Sequence, residues 1–122
     1  MILWTATPAT PATPAGPAAA ITYDTMSALV TGYCGELPAH PSEAWPKLDA
    51  GYQQRAGWDD YLGFWSTVQS VTVLSVAPRD ATSVTAQLRY VGADGSVETE
   101  QRWLRVVSVD GTLLIGDSGL AG

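Results

Sequence analysis

The hydrophobic period of this chain changes from helical to strand-like within one stretch, Trp58 to Val76. Trp58, Tyr61, Leu62 and Trp65 follow the spacing i, i+3, i+4, i+7, which sets an aromatic stripe along one helix face. Directly afterwards Val71 and Val73 alternate with Thr72 and Leu74, the period of a strand. The chain before this junction reads as helix and the chain after it as antiparallel strand. That order predicts an α+β fold.

At 122 residues the chain is long enough for one domain with a real core. A hydrophobic fraction of 46% with 15% charged residues fits a globular domain rather than a disordered one. The net charge of −6, with no Lys/Arg run, argues against a phosphate backbone as partner, so nucleic acid is not expected. An anionic membrane surface is disfavoured on the same ground. Cys34 is the single cysteine, which rules out an internal disulfide and a Cys-based zinc site. No cofactor or metal is implied.

Residues 1–20 are of different material. From Thr5 to Ala20 only Thr, Ala, Pro and one Gly occur, with Thr-Pro-Ala repeated at 7–9, 10–12 and 13–15. Such a segment buries too little apolar surface to offset its ordering entropy. Its prolines favour polyproline II, a semi-rigid stalk of roughly 50 Å when extended. A stalk standing off a membrane and a linker between cytoplasmic domains both fit this composition. Met1-Ile2-Leu3-Trp4 is too short for a signal peptide or a spanning helix, so membrane attachment is expected only through an anchor further upstream. The folded domain is expected over 21–122.

Three helices are predicted ahead of the strands. Met26, Leu29, Val30, Tyr33, Cys34 and Leu37 share one face, with Thr22 or Asp24 as N-cap and Pro38 as stop. Ser42 is the expected cap of a short second helix anchored by Trp45. Gly51 and Gly57 bracket a turn carrying Tyr52 and Arg55, and the aromatic helix follows with Asp59 and Asp60 at its N-terminal end. Four strands are expected, roughly 70–77, 83–91, 96–107 and 112–117. Asp94-Gly95 and Asp110-Gly111 are the hairpin signals between them. A tight turn at Asp94-Gly95 pairs Arg89 with Glu100 and Gln87 with Arg102 on a wet face. Continued through Asp110-Gly111, that face becomes apolar at Leu104, Val106, Leu113 and Ile115. The change implies a bulged register or a covered face, and a homodimer through the sheet would cover it.

This order of elements resembles the NTF2-like (SnoaL-like, cystatin-like) α+β cone, three N-terminal helices packed on a curved antiparallel sheet of about four strands. More narrowly, Ala44-Trp45 with Leu48, the run Tyr61 to Val73, and the ending Asp110 to Ser118 resemble extracytoplasmic domains of actinobacterial membrane serine/threonine protein kinases. The similarity covers about Tyr23 to Ser118. Leu113 departs from it, since relatives usually carry a tryptophan after that turn. The resemblance implies a non-catalytic, extracytoplasmic sensory or interaction module of a receptor-like kinase, on the cell-surface side of the membrane. It further implies a small apolar ligand in the cone or dimerisation through the sheet.

No Gly-rich loop, strand lysine or His-Arg-Asp loop of a kinase occurs in the chain. His40, the one histidine, sits in the loop Pro38-Ala39-His40-Pro41 and is expected to be exposed rather than to act as a general base. Tyr33, Tyr61, Trp65 and Trp103 serve either as core or as the wall of an apolar pocket. Arg105 alternates with Trp103 and would bind an anion if buried; on the surface it would be solvated. Tyr33 with Asp117 is the alternative, enzymatic reading, because a tyrosine hydroxyl beside a desolvated carboxyl stabilises an enolate. Cys34, on the apolar stripe, is expected to be a packed, inert thiol.

Overall fold

A computed structural model describes residues 20–121. The first helix, α1 (Tyr23–Gly35), begins where Thr22 closes a capping box with Thr25. Each threonine satisfies a backbone N–H that the helix start would otherwise orphan. Its apolar stripe goes inward: Met26, Val30, Tyr33 and Cys34 are buried, followed by Leu37 in the turn after it. The Tyr23 hydroxyl donates to the Val76 carbonyl at 2.6 Å and pins this helix start to the sheet.

The next segment is more helical than its glycines and prolines imply. Helix α2 (Pro41–Ala44) has Pro41 in its first turn and His40 rather than Ser42 at its N-cap, with no side-chain cap. Pro46 sits in a 3₁₀ turn, Trp45–Lys47, where its missing N–H costs nothing. The expected turn between Gly51 and Gly57 is a helix instead, α3 (Ala50–Ala56), because the Asp49 side chain accepts from the Tyr52 N–H and caps it. Gly57, at φ 78° and ψ 129°, separates it from α4 (Trp58–Ser66).

Four antiparallel strands follow: β1 (Val68–Asp80), β2 (Ser83–Gly92), β3 (Val97–Val109) and β4 (Thr112–Leu120). They form one meander in the order β1-β2-β3-β4. The Asp110-Gly111 turn gives the expected pairing, Val106 with Ile115 and Val107 with Leu114. At the other hairpin the register differs by one residue. Gly92 pairs its N–H with the Ser96 carbonyl around Ala93-Asp94-Gly95, so the loop holds three residues rather than two. Arg89 therefore faces Thr99 and Gln87 faces Gln101, while Leu88 faces Glu100 and Ala86 faces Arg102. A slip of one residue moves every side chain to the other face. Leu88, Ala86, Leu104, Val106 and Ile115 now share a buried face beneath the helices.

The α+β class and the helices-then-meander order stand. The NTF2-like cone with three helices does not. Among the described residues there are four α-helices and a 3₁₀ turn, since Asp49 caps a helix that the glycines concealed. The apolar run of Leu104, Val106 and Ile115, which had suggested a second copy on the sheet, is buried by the chain's own helices. No helix among the described residues is long and apolar enough to cross a membrane. The Thr/Pro stalk falls on residues outside the described range, apart from Ala20.

Candidate functional site

Between the helices and the inner face of the sheet lies a cleft of about 520 Å³. Its walls come from three helices: Tyr33 and Cys34 of α1, Tyr52 of α3, and Tyr61, Phe64 and Trp65 of α4. The floor is Leu88 and Tyr90 of β2, Glu100, Arg102 and Leu104 of β3, and Ile115 and Ser118 of β4. This placement follows from the two periods. The i, i+4 stripe of α4 turns Tyr61 and Trp65 inward, and alternation along β3 turns Glu100 and Arg102 the same way as Leu104.

Two hydrogen-bonded groups organise the polar atoms. In the wall, the Tyr33 and Tyr61 hydroxyls meet at 3.0 Å. Burial, with the neighbouring Tyr61, pushes the Tyr33 phenol far above its ordinary range; burial likewise pushes Tyr61 up to about 12. Both remain neutral hydroxyls in ordinary buffers. Across the floor runs a longer relay. The Tyr90 hydroxyl donates to Glu100 Oε2 at 2.7 Å, and Arg102 Nε donates to the same oxygen at 2.8 Å. Arg102 Nη1 donates to Ser118 Oγ at 3.0 Å, which also lies 2.9 Å from the Tyr52 hydroxyl. Burial alone would raise the Glu100 carboxyl, but the hydrogen bonds from Arg102 and Tyr90 outweigh it and hold Glu100 below its ordinary range. Burial also pushes the Cys34 thiol up to about 11, so it is a protonated, packed group.

The sequence-derived site residues divide into two sets. Tyr33, Tyr61 and Trp65 line the cleft together. Trp103, Arg105 and Asp117 do not, because odd-numbered residues of β3 point away from the face that holds Leu104, and Asp117 of β4 pairs with Arg105. Trp103 lies instead between two guanidiniums, Arg79 at 4.8 Å and Arg105 at 5.6 Å from its ring centre. Asp117 meets Arg55 at 3.5 Å with its side chain 49% exposed. The Tyr33/Asp117 pair of the enzymatic reading is therefore not assembled. Tyr52, Tyr90, Glu100, Arg102 and Ser118 escaped the sequence reading. Their available signal was Glu100 and Arg102 two residues apart on a strand that continues into Leu104 and Val106, opposite charges on a face that becomes core. No group of three or more His, Cys, Asp or Glu side chains among the described residues is arranged to hold a metal.

No family model matches the chain, and no curated protein matches it. Among solved structures, a SEC-C motif containing protein from Rhodopseudomonas palustris is similar at 10% identity. The match covers 82% of this chain and 73% of that one, with a TM-score of 0.48. It is described as a SEC-C motif protein and not as an NTF2-like one, and the chain is assigned to no family. A likeness this slight carries no argument about function.

Proposed function

We propose that the folded domain is a non-catalytic small-molecule-binding module whose ligand occupies the cleft between the helices and the sheet. One observation carries this reading: a cleft of ligand size, about 520 Å³, is walled by aromatic rings and floored by polar groups already bonded to one another. Binding sites for small molecules are concave, mostly apolar and furnished with a few fixed polar groups. The state of those polar groups supports binding over turnover. Tyr33 and Tyr61 hold their protons, and Glu100 is engaged by Arg102 and Tyr90 rather than poised to accept a proton. Two donors that hold the Glu100 carboxyl below its ordinary range make it a weak general base, since an efficient one has a pKa near the operating pH. The setting we propose, display outside the membrane, is supported by the Thr/Pro composition of residues 5–20.

Amide and indole NMR spectra, recorded while a library of small apolar and amphipathic fragments is added, test the reading. Hits should shift Trp65 and the signals of Tyr61 and Tyr90, while the Trp103 indole on the opposite sheet face stays unmoved. Shifts confined to the Trp103 face, or none with any fragment, would sink it.

A further inference from the structure

The chemistry of the cleft wall narrows the ligand class. At the end near the β2–β3 turn, Phe64, Trp65 and Tyr90 pack as a corner. Their ring centres lie 5.0 Å (Phe64–Trp65), 6.3 Å (Phe64–Tyr90) and 6.2 Å (Trp65–Tyr90) apart. All three line the cleft, and Phe64 stands 53% exposed at its mouth. Aromatic faces carry negative potential, so such a wall attracts cations. The rings touch one another rather than enclosing a box. That shape suits an ammonium carried on an apolar body lying along the wall.

The charges around the wall point the same way. Among the described residues, three carboxylates line the cleft, Asp60, Glu98 and Glu100, against one guanidinium, Arg102. Arg102 is committed to Glu100 at 2.8 Å, which cancels both charges locally. Glu98 faces Tyr90 across the β2–β3 ladder and, like Asp60, is exposed and pairs with no cation among the described residues. The surplus of negative charge therefore lies at the mouth, beside the aromatic corner. An anionic ligand would meet two unmatched carboxylates there. A cation would meet ring faces and carboxylates together, and the net charge of −6 would favour its approach.

Resting on the binding role proposed above, we infer that the cleft takes an organic cation, an alkylated or aryl-substituted ammonium, with its charged head against Phe64, Trp65, Tyr90 and Glu98. The apolar body then extends towards Tyr61 and Leu88.

Three probes of matched shape test this: benzyltrimethylammonium, its neutral carbon isostere neopentylbenzene, and benzenesulfonate. Binding to the full chain is followed by calorimetry and by the NMR signals of Trp65. The cation should bind roughly tenfold more tightly than the neutral isostere, and rising ionic strength should narrow the gap. Glu98→Gln and Phe64→Leu should each weaken the cation roughly three- to fivefold and narrow its advantage over the isostere. Both residues are exposed, and an unshifted Trp103 signal would certify that the variants fold. Equal affinity for the isostere would overturn the cation assignment and leave the binding cleft intact. Preference for benzenesulfonate would overturn it in favour of Arg102 as an anion handle. Failure of all three probes to move the cleft signals would overturn the cation assignment, while the fragment titration decides separately whether the cleft binds.

Discussion

The Tyr33–Tyr61 hydroxyl pair is the smallest unit on which the cleft wall depends. Removing one hydroxyl leaves the other buried without its partner, at a cost of about 1–3 kcal/mol, more than the net worth of the bond itself. Tyr33→Phe and Tyr61→Phe should thus each destabilise the fold. The double variant should lose less than their sum, with a coupling of about 1 kcal/mol in urea unfolding. Strict additivity would show that the two hydroxyls do not depend on each other. These two residues and Trp65 were legible because helical spacing states which side chains share a face. Trp103 was not, since an aromatic ring on a strand is as readily a core residue as an outer one. What decided its side was alternation with Leu104 and Val106, whose burial depends on the helices packing over that sheet face. On the outer face, the flanking Arg79 and Arg105 cover much of the indole that water would otherwise meet.

At the scale of elements, two glycines govern what the cleft can be. Gly57 links α3 to α4 at φ 78° and ψ 129°, a conformation that a Cβ disfavours strongly. Gly57→Ala should cost about 1–3 kcal/mol, whereas Gly63→Ala, inside α4 with nothing within 4 Å of the added Cβ, should stabilise by about 0.5–1 kcal/mol. Paired thermal melts measure both, and equal effects would refute the role given to Gly57. Gly95, at φ 88°, does the corresponding work in the β2–β3 loop. Asp94-Gly95 announces a hairpin but does not say whether its loop holds two residues or three. Local bonds settle that question: the Asp94 carboxylate accepts from the Ser96 N–H at 3.0 Å and from its hydroxyl at 2.7 Å. That one-residue difference takes Glu100 and Arg102 from a wet face to the cleft floor. The meander was therefore legible in the sequence, and its register, which builds the site, was not. A similar limit hid α3, where a capping Asp49 outweighs the helix-breaking tendency of Gly51 and Gly57.

At the scale of the whole molecule, the cleft makes the stability of the fold depend on alkaline pH. Tyr33, Tyr61, Tyr90 and Cys34 all line it, and burial raises the pKa of each. In the unfolded chain the thiol ionises near its ordinary 9.0 and the phenols near 10.0. In the folded chain they still hold their protons at those values. The native state then binds more protons than the unfolded one, so stability falls as pH rises. Their contribution is complete below about pH 9, is lost from there upward, and is gone for Cys34 by about 11 and for Tyr61 by about 12. Glu100 acts at the opposite end. Its folded pKa is lowered, so its contribution is present above the ordinary carboxylate range and disappears as acid protonates it away from Arg102. Urea denaturation at a series of pH values should show a plateau near neutrality that falls on both sides. The alkaline fall should begin near pH 9 and steepen near 10, where several phenols titrate together. The Tyr61→Phe variant, which lacks one of these phenols, should show a shallower alkaline slope with the acid limb unchanged. A stability flat from neutrality to pH 12 would mean that water reaches these hydroxyls freely, and with it that the cleft wall is not the dry, aromatic surface on which ligand binding depends.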